Sequence, residues 1–135
     1  MKNGKLQIGL IGIGGIANQK HMPSLSQMKD LCELVAFCDI IKERAEAGAK
    51  EFGAPGAKVY TDYKELLADD SIDVVHVLTP NVAHAQIVVD AFAAGKHVLC
   101  EKPMSHSSSE AQRMIDAWKK SGKHFTIGYQ NRFRP

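Results

Sequence analysis

The sequence predicts a doubly wound α/β domain on a six-stranded parallel sheet, and three observations predict it. Strand-length apolar runs alternate with helical stretches along the whole chain. The first run, Ile8 to Ile11, leads straight into Gly12 and Gly14, with a small residue at Ala17, the spacing G-x-G-x-x-A. The second run, Leu34 to Cys38, ends on an acid, Asp39, at about the 20-residue separation that a dinucleotide-binding βαβ unit places between glycine turn and carboxylate.

Each element has its own warrant. Strand one is expected at about Leu6 to Ile11, and a helix follows from about Gly15 with Ala17, His21, Leu25 and Met28 on one face. Pro23 lacks a backbone donor and should kink or split that helix. Strand two covers about Glu33 to Cys38. Helix two, Lys42 to Phe52, carries Ala45, Gly48, Ala49 and Phe52 at i, i+3, i+4, i+7, and Gly53 stops it. Lys58 to Tyr60 forms a short strand three, and Thr61 or Asp62 caps a short helix over Tyr63 to Ala68. Asp73 to Leu78 is nearly continuous in apolar residues, as a strand buried on both faces requires. Pro80 to Ala94 reads as a helix with Pro in its first turn and a face of His84, Ile87, Val88, Ala91 and Gly95. Lys96 to Cys100 is strand five. Ser107 to Lys120 is a capped helix with Ala111, Met114, Ile115 and Trp118 inward, closed by Ser121-Gly122, and His124 to Gly128 is strand six. With the glycine turn after strand one, the expected strand order is 3-2-1-4-5-6, with the ligand at the switch between strands one and four.

Composition excludes several classes. The 135 residues are 44% hydrophobic and 24% charged, a globular balance rather than a disordered one. A net charge of +2 without a basic run argues against nucleic acid or an anionic membrane as partner. Cys32, Cys38 and Cys100 are odd in number and lie in or beside strand-like runs, which suits free thiols in a reducing compartment. No stretch is apolar enough to span a bilayer, and Met1 to Lys5 leads only into a glycine-broken strand, so a cytoplasmic protein is expected. The six histidines show no HxxxH spacing, the cysteines no CxxC, and no metal is expected. Neither a triphosphate P-loop nor a G-x-S-x-G elbow is present.

The chemistry gathers at strand ends. Gly12 permits the sharp exit from strand one, Gly14 lets backbone approach a pyrophosphate, and the helix starting near Gly15 aims free N–H groups and a positive dipole end at the phosphates. Asp39 can accept hydrogen bonds from a ribose 2′-OH, or else cap the next helix. After strand four, Asn81 can face a ribose or amide, or cap its helix, and His84 alone reads as a core-edge residue. After strand five, the Lys102 ammonium, held by Glu101 and pinned by Pro103, can bind a substrate oxygen or move a proton; without context it is a solvated loop lysine. After strand six, Arg132 and Arg134 can bind anions or serve as linker charges, the latter reading being preferred for Arg134.

The ordered series I-G-x-G-x-x-A, strand-end Asp39, L-T-P-N-x-x-H (Leu78 to His84) and A-G-K-H-V-L-C-E-K-P (Ala94 to Pro103) resembles the Gfo/Idh/MocA oxidoreductases, the glucose–fructose oxidoreductase and inositol dehydrogenase-like enzymes. The resemblance reaches from strand one to Asn131-Arg132-Phe133. It implies an NAD(P)-dependent enzyme acting on sugars, polyols or their derivatives. By residue, it implies that Gly12, Ile13, Gly14 and Ile16, with Gly15 at the helix start, hold the pyrophosphate, and that Asp39 goes with NAD, NADP remaining possible because Lys42 and Arg44 are near. It further implies that Thr79, Pro80, Asn81 and His84 line the cofactor, that Lys102 lies beside nicotinamide and substrate and assists hydride transfer, and that Glu101 neighbours it.

Members of that family continue into a second α/β domain that supplies most substrate contacts and commonly the oligomer interface. The expectation is therefore a nucleotide-binding domain over residues 1–128, with 129–135 opening the connection to a missing substrate domain, from a homo-oligomeric parent. Little turnover is expected of this chain alone. The alternative is a non-catalytic nucleotide-binding module for sensing or assembly, in which Lys102 has no chemical task.

Overall fold

The computed structural model describes residues 1–133, with the Phe133 side chain, Arg134 and Pro135 outside the description. Six strands form one parallel sheet: β1 (Leu6–Ile11), β2 (Cys32–Cys38), β3 (Lys58–Tyr60), β4 (Val74–Val77), β5 (His97–Cys100) and β6 (Phe125–Ile127). Their order is β3-β2-β1-β4-β5-β6, the order expected, and every neighbouring pair is parallel. Five α-helices connect them: α1 (Met22–Ser26), α2 (Lys42–Phe52), α3 (Tyr63–Leu67), α4 (His84–Ala93) and α5 (Ser108–Ser121).

The strands alternate their side chains between two cores. Ile8, Leu10, Leu34 and Phe37 pack with Ile13, Ala17, Met22 and Ala45 under α1 and α2. Ile11, Ala36, Val75, Val77 and Val98 pack on the opposite face with Leu66, Ile87, Val88 and Met114 from α3, α4 and α5. The reversal of strand order falls between β1 and β4, so the crevice opens at the carboxyl ends of those two strands.

Local chemistry explains where expectation and structure part. The first helix does split at Pro23, through a π-helical turn over Ala17–His21 in which the Met22 N–H donates to the Ala17 carbonyl. That turn adds a residue to the repeat. Ala17 and Met22, five apart, are therefore the fully buried pair, and Met28, expected inward, is exposed. Gly53 ends α2 in an extended rather than left-handed conformation; a Cβ there would stand 2.4 Å from the Ala49 carbonyl oxygen. Pro80 lies outside its helix, and a 3-10 turn over Asn81–Ala83 leads into α4. Gly95 belongs to no helix face; it is the exposed left-handed residue after α4. On α5, Met114 alone is fully buried and Trp118 is half exposed, because α5 lies near the β6 edge of the sheet. Its indole N–H donates to the Lys123 carbonyl at 2.8 Å. Asp62, not Thr61, caps α3 by accepting the Lys64 N–H at 2.8 Å.

Candidate cofactor cleft

A cleft of about 850 Å³ lies at the carboxyl ends of β1, β2 and β4, and Gly12, Gly14, Gly15, Asp39, Thr79 and Pro80 are in its wall. Gly12 leaves β1 at φ +94°, and a Cβ there would sit 2.9 Å from Leu78 C and Thr79 N. The exits of β1 and β4 are pressed together, and only glycine fits between them. Gly14 and Gly15 behave differently. A Cβ on either would meet nothing within 4 Å, so their backbone faces open space at a helix start whose first N–H groups lack intrahelical acceptors.

Asp39 closes the turn from the other side. Its Oδ2 accepts the Ile13 N–H at 2.8 Å and its Oδ1 accepts the Ile41 N–H at 2.9 Å, and the residue is buried. Ile13 thus meets the site through its backbone while its side chain lies in the core. Asp39 does not cap α2, whose N-cap is Ile41 with no side-chain cap bond; it holds the Ile41 N–H just ahead of that helix and stands in the cleft wall. Each carboxylate oxygen keeps a further lone pair for a ligand hydroxyl.

Thr79 adds an unpaired polar group beside the same cleft. Its Oγ1 is buried with no hydrogen-bond partner among the described residues. A buried hydroxyl left so is costly. The wall also holds Cys38, whose thiol is pushed up to about 12 by burial and then by nearby Asp39, so it is inert there.

The remaining expected residues fall outside this cleft wall. His84 is buried with Nε2 2.8 Å from the Thr79 carbonyl oxygen and Nδ1 3.0 Å from that of Pro103, so it ties the loop after β4 to the loop after β5. Ile16 is exposed on the helix start, and Asn81 is half-buried in the 3-10 turn. Glu101 does not pair with the Lys102 ammonium as expected. Its Oε1 takes His21 Nε2 at 2.8 Å, and its Oε2 accepts the Lys102 backbone N–H at 3.0 Å. Strand β5 ends there, so the two side chains leave a turning backbone in different directions. Lys102 is exposed and lines a second, smaller hollow of about 370 Å³ with Tyr129, Asn131 and Arg132. Arg134 lies outside the described residues.

Four contributors escaped the sequence reading. Asn18 donates from Nδ2 to the Gly14 and Ile13 carbonyl oxygens at 2.8 and 3.1 Å, so both acceptors of the glycine turn are engaged within the protein. An asparagine in the first turn of a helix is the one available signal for this. Thr61, just before α3, and Tyr63, its first residue, also line the wall that holds Asp39. His76 of β4 meets His21 across the sheet face that Val75 and Val77 leave, Nδ1 to Nδ1 at 3.3 Å. Burial and then the neighbouring His21 push His76 down to about 3, so its ring is neutral.

A parallel 3-2-1-4-5-6 sheet with a glycine turn leaving its first strand is a Rossmann domain. Residues 6–129 match the family described as GFO_IDH_MocA, oxidoreductase family, NAD-binding Rossmann fold, and the chain belongs to that family. It is 39% identical over 129 residues to the inositol 2-dehydrogenase of Salmonella typhimurium, covering 95% of this chain and 38% of that enzyme. The WlbA dehydrogenase of Bordetella pertussis, solved with NADH and UDP-GlcNAcA, is 29% identical at a TM-score of 0.90, covering 98% of this chain and 37% of that one. KijD10, a 3-ketoreductase of Actinomadura kijaniata solved with NADP and TDP-benzene, is 30% identical at 0.88, covering 97% and 39%. The chain thus spans less than half the length of the relatives it matches. Among the described residues, no helix is long and apolar enough to cross a membrane.

Proposed function

We propose that this chain, over residues 1–128, is the cofactor-binding part of a nicotinamide-dependent dehydrogenase acting on a secondary alcohol of a sugar, polyol or derivative. The observation that carries this reading is the cleft itself: open Gly14 and Gly15 backbone, the tethered Asp39 carboxylate and the unpartnered Thr79 hydroxyl meet at the β1/β4 switch. These groups fit a dinucleotide. The N–H groups from Gly14 to Ile16 would hold a pyrophosphate, and Asp39 a ribose diol. Nicotinamide, when bound, supplies the hydride acceptor or donor at its C4.

The protein's part is position and proton handling. In alcohol oxidation the Lys102 side chain, as the neutral amine, would take the hydroxyl proton while the C–H hydride goes to the bound nicotinamide, and in reduction the ammonium would return that proton. The Pro103 carbonyl and the Lys102 main chain are held from two sides, by His84 and by Glu101. Arg132, in the same hollow as Lys102, would meet an anionic substituent on the substrate. Asp39 favours NAD, since a 2′-phosphate beside it would meet like charge, while Arg44 in the same wall tempers that preference. Substrate contacts and oligomerisation are assigned to a second domain of the kind the longer relatives have room for.

The test is a fluorescence titration of the chain with NADH and with NADPH. Saturable binding with NADH the tighter ligand supports the reading. A folded chain, by circular dichroism, that binds neither overturns it; tighter NADPH overturns the Asp39 assignment. Within the longer protein, Lys102→Ala with unchanged kcat would return the alternative of a non-catalytic module.

A further inference from the structure

We propose that His21 is a positioning residue for the nicotinamide end of the site: braced by His76, it holds the Glu101 carboxylate, whose other oxygen fixes the main chain at Lys102. This rests on the cofactor reading above and extends it to two histidines outside the expected set. Four residues carry it. His76 Nδ1 meets His21 Nδ1 at 3.3 Å, His21 Nε2 meets Glu101 Oε1 at 2.8 Å, and Glu101 Oε2 accepts the Lys102 N–H at 3.0 Å. The His21 and Glu101 side chains are each only 14% exposed, so their contact is largely screened from water.

The direction of each bond follows from its ends. A carboxylate only accepts, so the proton between His21 and Glu101 sits on His21 Nε2. In the neutral ring that leaves Nδ1 bare, and the His76 Nδ1–H fills it. Two further features serve the same carboxylate. Gly128, at the end of β6, brings backbone against it, and a Cβ there would stand 3.2 Å from Oε1. The π-helical turn over Ala17–His21 sets where His21 falls along the first helix. Such extra-residue turns recur where a side chain must be aimed at a site.

The chain of contacts stays clear of the adenosine half. None of His21, His76, Glu101 and Lys102 lines the large cleft that holds Asp39, Gly14 and Thr79. Disturbing His21 therefore acts on the nicotinamide end alone, and two ligands separate the ends: NADH, and ADP-ribose, which lacks nicotinamide.

Three chains are compared by calorimetric titration: wild type, His21→Ala and His21→Gln. Gln keeps an N–H donor for Glu101 and an acceptor for His76. His21→Ala is expected to weaken NADH roughly tenfold, the scale of one hydrogen bond to a charged group, with ADP-ribose unchanged and Gln restoring most of the loss. Equal loss for both ligands, or none for either, overturns the proposal. Wild type binding neither ligand overturns the cofactor reading, and this one with it. A measurement on the free wild-type chain covers the case in which His21→Ala does not fold. Nitrogen-15 NMR of the rings is expected to show His21 protonated at Nε2 and changing on Glu101→Gln. An unlocked tautomer mixture indifferent to Glu101 overturns the proposal.

Discussion

The Asp39 carboxylate accepts the Ile13 backbone N–H at 2.8 Å, so the acid ending β2 is a strut for the glycine turn leaving β1. Asp39 therefore has a structural task whatever it does for a ligand. Asp39→Ala strands the N–H groups of Ile13 and Ile41 and is expected to cost about 1–3 kcal/mol in urea unfolding. Asp39→Asn, which keeps one acceptor, should cost less while still weakening NADH. Unfolding midpoints for Asp39→Ala equal to wild type would remove the strut.

Gly12 and Gly14 separate fold from site. Gly12→Ala puts a Cβ 2.9 Å from the β4 exit at a φ of +94°, and a loss of about 1–3 kcal/mol of stability is expected. Gly14→Ala meets nothing in the protein, so its melting temperature should stay within a few degrees of wild type while NADH affinity falls. Thermal melts and NADH titrations on both variants check this, and a Gly14→Ala chain that binds normally would show that nothing approaches its backbone.

Acid stability should depend on Asp69. Burial pushes its carboxyl up, but hydrogen bonds from Lys58, Ser71 and Tyr60 outweigh that and hold it well below the usual carboxylate range. A group depressed in the folded state stabilises above its unfolded value of about 3.9, and that stability drains away as pH falls through the folded value. Urea unfolding of wild type should thus weaken below about pH 4, more steeply than that of Asp69→Asn. The Lys58 contribution is discounted, because that side chain is largely exposed. Parallel acid profiles would sink the assignment.

The thiols should be silent in the native state. Burial, and then neighbouring carboxylates, push Cys38 and Cys100 up to about 12, and burial raises Cys32 as well. Native chain treated with a thiol-reactive chromophore at pH 8 should react slowly at all three and fully once denatured. Rapid native labelling would show that a strand opens more readily than its packing implies.

The architecture was legible because its signals are local. Alternation of strand and helix, the near-unbroken Val74–Leu78 run and the glycine turn each depend on residues close in sequence, and they led to the observed strand order. Misplacements came where the helical repeat changed within a segment or where the segment's place in the sheet decided its burial. Met22 replaced Met28 in the core because a π turn changed the repeat, and Trp118 stayed half outside because α5 lies by a sheet edge.

The candidate site divides along the same line. By itself the sequence determined which residue types arrive at the carboxyl ends of the strands, because strand periodicity and turn chemistry set where each strand stops. Only the tertiary structure decided their partners. Glu101 turned to His21, 80 residues away, rather than to adjacent Lys102, and His84 reached Pro103 across 19 residues. Side-chain hydrogen bonds form between groups that packing brings within about 3 Å, and no spacing along the chain encodes that distance.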